Sequence, residues 1–162
     1  MEMVGPYWDS LPARVAEAVN TARWEAKTAH VGVGKGTSSI NVNRRPALPD
    51  GTLFTGRNWD GFVDREVGVV AINDTAGDPI ATLLNYACHP VVLGSGNRQL
   101  TADYPGYACA YLERRFPGTV ALFLQGADGD LDPYIDVQND FAPAQDQGEE
   151  LGREVERVVR AL

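Results

Sequence analysis

The sequence predicts an α/β fold: a mixed β-sheet with flanking helices, in a single domain. Three observations predict it. Apolar residues recur at helical spacing near both ends of the chain, shorter runs between them are period-two or nearly continuously apolar, and the two kinds of segment alternate. With 162 residues, 44% of them hydrophobic and 22% charged, the chain has the size and composition of one globular domain.

Residues 9–26 read as an amphipathic helix, with Leu11, Val15, Ala18, Val19, Ala22 and Ala26 on one face. Asp9 or Ser10 can cap it, Pro12 is tolerated in a first turn, and Trp24 is placed to anchor its end against the core. From Ala29 to Gly36 the period changes to two, and the glycines suggest a bulge or a close approach of other backbone. His30 in this run reads as a structural or surface residue.

Residues 37–66 are polar, rich in Asn, Arg, Pro, Gly and Asp, and without periodicity, so they read as a long loop. The segment Asn41 to Pro46 is its densest basic spot, and its composition suggests a solvated stretch with two exposed arginines. Val67–Ile72 and Pro79–Ala87 flank a turn-rich connection and read as a β-hairpin. The second strand is apolar or small almost throughout, which places it centrally in the sheet. It delivers Cys88 and His89 at its carboxyl end, where open α/β sheets place their chemistry.

Asp103 is placed as the N-cap of a helix over 104–115, with Pro105 in the first turn and Tyr107, Ala108, Tyr111 and Leu112 inward. Residues 119–124 read as a short buried strand that runs into Asp128, Asp130 and Asp132. A last helix from about residue 145 has Leu151, Val155, Val158, Val159 and Leu162 on one face.

The net charge of −8 argues against a nucleic-acid surface and against an anionic membrane face. Two cysteines, Cys88 and Cys109, do not make a disulfide framework in a chain of this length and read as buried free thiols. The first residues carry no basic region or long apolar stretch, so no signal peptide is visible. No run approaches bilayer-spanning length, and a soluble, cytoplasmic protein is expected.

Two strand ends carry candidate chemistry, one with His89 and one with the aspartate run. If those strands are neighbours, an imidazole and several carboxylates converge, a combination suited to a divalent metal and hydrolysis. The run Asp128-x-Asp130-x-Asp132 also resembles the opening of a calcium loop, but Pro133 stands where that loop needs glycine and no closing glutamate follows. A turn with solvated aspartates is the plain alternative. A nucleophile elbow, a phosphate-binding loop and the common zinc-binding pairs are absent from the sequence.

Four stretches taken in order resemble the N-terminal domain of the neutral/alkaline (non-lysosomal) ceramidase family, especially its short bacterial relatives. They are Asn43-Arg44-Arg45, the block Asn85 to Gly94, the phrase Thr101 to Ala108, and Gln125 to Pro133. The resemblance implies a zinc-dependent hydrolase that cleaves the N-acyl bond of ceramide with a metal-activated water. By the same resemblance His89 is one of the zinc ligands and Arg44 lines the site; with a metal bound there, Arg44 would stabilise the oxyanion and Asp130 or Asp132 would orient the water or accept its proton. Asp132 stands where ceramidases proper have serine in Gly-Asp-x-Ser-Pro, which bears on the lipid substrate more than on the fold.

The family's His-Thr-His-Ser-Gly-Pro motif matches only at Gly5-Pro6, with Met1 to Val4 in place of its histidines. Its glutamate and tyrosine ligands would lie beyond Leu162. The expectation is a piece of the family domain, incomplete at both ends, that either works as one arm of a zinc site or has lost catalysis. A calcium-stabilised binding module is the remaining reading. The expected partner is a small-molecule or lipid amide, with no nucleic acid. Phe54, Trp59 and Phe62 either line a pocket for its acyl chain or pin the long loop to the core.

Overall fold

A computed structural model describes residues 4–162 as three helices and two sheets. Helix α1 spans Val4–Trp24, and strand β1 spans Ala29–Thr37. Strands β2 (Asn41–Asn43), β3 (Glu66–Asp74) and β4 (Pro79–Tyr86) follow. Helix α2 covers Asp103–Arg115, strands β5 and β6 cover Val120–Gln125 and Leu131–Pro133, and helix α3 covers Ala142–Val159. This is the mixed α/β arrangement that the alternation of periods predicts.

The main sheet has the order β1-β3-β4-β5, antiparallel except for the β4–β5 pair. The hairpin β3–β4 is confirmed, and β4 is interior, as its nearly unbroken apolar character requires. Helices α2 and α3 cover one face. Against them lie Val67 and Val69 of β3, Leu84 and Tyr86 of β4, and Ala108, Leu112, Leu151 and Val155 of the helices, all buried.

The glycines of β1 are explained by α3 rather than by other backbone. A Cβ on Gly34 would stand 2.7 Å from Val158 Cγ1, and one on Gly32 would stand 3.2 Å from Leu162. The strand thus offers a smooth face on which the end of the helix lies. The same device joins the helices, because a Cβ on Gly148 would meet the Tyr104 carbonyl oxygen at 2.5 Å.

Several expectations are corrected. Helix α1 starts at Val4, so Pro12 lies inside it, and it buries none of its residues. Trp24 is 88% exposed and anchors nothing. The loop over 37–66 contains β2, which at three residues is too short for alternation to reveal. Strand β5 is an edge strand with Val120, Leu122 and Leu124 exposed, not a buried one. Helix α3 begins at Ala142, and Leu162 lies beyond its end, half exposed.

Asp103 is not an N-cap. Its backbone is left-handed (φ 52°), and its carboxylate instead accepts from the N–H groups of Val92 (3.2 Å), Leu93 (2.8 Å) and Tyr104 (2.8 Å). It therefore ties the loop that follows His89 to the start of α2. Both cysteines are free thiols, Cys88 fully buried and Cys109 half-buried. Among the described residues no helix is long and apolar enough to cross a membrane.

Candidate functional site

The small sheet builds the site. Strands β2 and β6 pair antiparallel, with Val42 opposite Asp132 and Asn43 opposite Leu131. The ladder continues past Asn43, because the Arg44 N–H donates to the Asp130 carbonyl at 2.7 Å. Strand β4 joins it just beyond its own end, where the His89 N–H donates to the Leu131 carbonyl at 3.0 Å. His89 and the aspartate run, 39 residues apart in sequence by the numbers 89 and 128, are thereby held side by side.

The His89 ring shows how. Its Nδ1 stands 3.1 Å from the Leu131 carbonyl oxygen and 3.1 Å from Asp128 Oδ2. A carbonyl oxygen only accepts, so Nδ1 carries the proton, and the neutral tautomer with that arrangement has its lone pair on Nε2. Asp132 Oδ1 lies 3.7 Å from the same Nδ1 and 3.2 Å from Arg44 Nη1. Imidazole, two carboxylates and a guanidinium thus form one connected group.

Each member has its own support. Gln125, the last residue of β5, donates through Nε2 to the Cys88 carbonyl (3.0 Å) and to Asp128 Oδ2 (2.8 Å). Buried Asn43 donates to Asp130 Oδ2 (3.1 Å) and to the Phe62 carbonyl (3.0 Å), and it accepts from the Arg45 N–H (2.8 Å). The Arg44 guanidinium also donates to the Gly129 carbonyl through Nε (3.3 Å) and Nη2 (3.2 Å). Tyr104 Oη donates to the Cys88 carbonyl at 2.6 Å and fixes the peptide before the histidine.

Three expectations about this region fail. Arg44 is not a solvated loop residue, since its side chain is only 19% exposed and pairs with Asp132 at 8%. Asp132 is likewise not in a solvated turn, because it lies on the buried strand β6, and Asp128 and Asp130 before it are half-buried. Phe54, Trp59 and Phe62 do not pin the loop to the core, and all three are exposed. Burial pushes the Cys88 thiol well above its ordinary value, so beside His89 it is a neutral packing group rather than a thiolate ligand.

The structure brings together His89, Arg44 and Asp132, with Asp130 one layer away on Asn43. It makes Asp128 of the aspartate run the partner of the His89 ring and adds Gln125, for which the sequence offered only its place at the carboxyl end of a strand and in the stretch that resembles the family. The segment Met1 to Met3, where the family's histidine motif would stand, lies outside the described residues. Gly5 and Pro6, which match the end of that motif, belong to the first turn of α1.

No family model matches the chain. Neutral ceramidase B of Dictyostelium discoideum is 31% identical over 104 residues, which make up 59% of this chain and 14% of that protein. Neutral ceramidase A of the same organism is 29% identical over 103 residues, 57% of this chain and 14% of its own length. The chain thus spans about one seventh of these relatives. Among solved structures, a ceramidase complexed with C2 superimposes with a TM-score of 0.70 at 18% identity, over 87% of this chain and 24% of that one. The neutral ceramidase from Pseudomonas aeruginosa superimposes with a TM-score of 0.71 at 17% identity, over 89% and 24%. At those identities the structures speak for the fold alone. Sequence and fold together make the chain a partial neutral ceramidase-like domain.

Proposed function

We propose that the group at the end of β4 serves a metal-dependent hydrolase of neutral ceramidase type, which cleaves the N-acyl bond of a lipid or small-molecule amide. The observation that carries the proposal is His89. Its Nδ1–H is held by a carbonyl and a carboxylate, and Nε2 has no hydrogen-bond partner among the described residues. This is how zinc-binding histidines are commonly oriented, with the second nitrogen fixing tautomer and ring plane.

Zinc takes about three protein ligands and a water in a catalytic site. His89 Nε2 fits one of these places. Among the described residues no group of three His, Cys, Asp or Glu gathers around a common point, so His89 is the one ligand assigned. When bound, zinc supplies Lewis-acid polarisation of an amide carbonyl and lowers the pKa of a coordinated water.

The chain's own residues take the following parts. Asp128 and the Leu131 carbonyl hold the His89 ring. Arg44 retains N–H groups beyond those engaged by Asp132 and Gly129, and these stabilise the oxygen that becomes negative as the amide is attacked. Asp132, nearer to His89 than Asp130 is, orients the attacking water and accepts its proton, while Asp130 is braced by Asn43. Phe54, Trp59 and Phe62, exposed on the loop that leaves Arg44, offer apolar contact to an acyl chain.

Metal analysis of the purified chain after dialysis against zinc tests the reading, together with hydrolysis of an N-acylated fluorogenic amide. Wild type is expected to retain zinc and His89→Ala to lose it. Equal retention by both, or none by wild type, overturns it. One observation favours a non-catalytic alternative: Arg44, Asp132, Asp128 and His89 satisfy one another and brace β2 against β6. Under that alternative His89→Ala changes stability alone.

A further inference from the structure

The last residue of β5 reaches across to the strand that carries His89. Gln125 stands opposite Tyr86 in the β4–β5 register, and the Gly126 N–H after it donates to the Tyr86 carbonyl at 2.9 Å. A Cβ on Gly126 would lie 2.9 Å from both the Cα and the backbone nitrogen of Ala87, so a side chain there would push the two strand ends apart. Glycine keeps them close, and the Gln125 amide spans the remaining gap. Its Nε2 lies 3.0 Å from the Cys88 carbonyl oxygen and 2.8 Å from Asp128 Oδ2.

The chemistry of these atoms gives each bond a direction. A carbonyl oxygen only accepts, so the amide turns its nitrogen to Cys88, and the two N–H groups of that nitrogen serve one acceptor each. Asp128 Oδ2 receives one donor from Gln125 and a second from His89 Nδ1 at 3.1 Å. Among the described residues no other group donates to this carboxylate. The Leu131 carbonyl, the other acceptor for Nδ1–H, already takes the backbone N–H of His89 at 3.0 Å. Asp128 is thus the second anchor of the ring, and Gln125 is what holds Asp128.

We infer that Gln125 is a positioning residue for His89. One of its hydrogens fixes the peptide before the histidine, and the other keeps Asp128 against Nδ1, which sets the ring plane and the Nδ1–H tautomer. The consequence for metal binding rests on the proposed role of His89 as a zinc arm; the effect on the ring does not.

Nitrogen-15 NMR of the zinc-free chain, at a pH where the imidazole is neutral, tests this in wild type, Gln125→Met, Asp128→Ala and the double variant. His30, the other histidine of the chain, serves as the internal reference. Gln125→Met keeps the length of the side chain and removes both donors. It is expected to turn the single Nδ1–H tautomer of His89 into a mixture and to leave His30 unchanged. In a parallel zinc titration it should weaken binding about 10-fold. On the Asp128→Ala background the same substitution should add nothing, because its effect passes through Asp128. Should Gln125→Met fail to fold, Gln125→Glu, which presents oxygen to both acceptors, replaces it. A tautomer change in a chain that binds no zinc supports the positioning role and overturns the metal arm alone. A wild-type tautomer in Gln125→Met overturns the inference. So does an equal effect with and without Asp128, which would mean that Gln125 acts on the Cys88 peptide only.

Discussion

Arg44 and Asp132 form the ion pair most protected from water in the site, with side chains 19% and 8% exposed. Removing one partner leaves the other charge in a place that water barely reaches. Arg44→Ala is therefore expected to destabilise the fold by about 3 kcal/mol, read as a lowered urea midpoint. Cys88 gives a second prediction at this scale. Its sulfur is fully buried and its thiol is pushed up by that burial. A thiol reagent should modify Cys109 in the native protein first and Cys88 only on global unfolding, and labelling at both sites checks the order. His89 was legible in the sequence because an apolar strand ended there. Arg44 was placed at the site by the family resemblance alone; its burial was not legible, because burial of a loop arginine depends on Asp132 and Gly129, 88 and 85 residues away.

At the level of elements, Glu156 holds α3 to α2. Its carboxylate accepts from Tyr111 Oη at 2.6 Å and from the guanidinium groups of Arg115 and Arg160. The bond from Arg115, then that from Tyr111, hold its pKa down at about 2. Unfolded, the same group titrates near 4.3. Its contribution is thus fully present above that value and is lost as pH falls from about 4.3 toward 2. Thermal melts over this window should show a decline that Glu156→Gln flattens. Where α2 and α3 touch, Gly148→Ala would drive a methyl into the Tyr104 carbonyl oxygen at 2.5 Å and Tyr107 Cβ at 2.6 Å. A loss of about 1–3 kcal/mol is expected from chemical denaturation. The long elements were readable because their periods run for several turns or several residues. Strands β2 and β6 were not, because pairing of Asn41–Asn43 with Leu131–Pro133 is a long-range event that leaves no local pattern. Asp103 was misread for a related reason: its carboxylate turns back to the loop after His89 instead of forward along α2.

For the whole molecule, the path from sequence to site runs through one junction. The end of β4 meets the β2–β6 pair at Leu131, whose carbonyl accepts from both the backbone and the ring of His89. The order of fold motifs along the chain made the α/β class and the ceramidase resemblance legible. What the sequence could not reveal was that α1 buries none of its residues, because a helical stripe announces an apolar face without naming what it packs against. The function proposed here depends on which nitrogen of His89 is free. Nitrogen-15 NMR of the imidazole reads that directly. The structure predicts the Nδ1–H tautomer, with an unprotonated Nε2 whose resonance shifts on zinc addition. A ring protonated at Nε2, or an Nε2 resonance indifferent to zinc, would contradict the proposed metal arm.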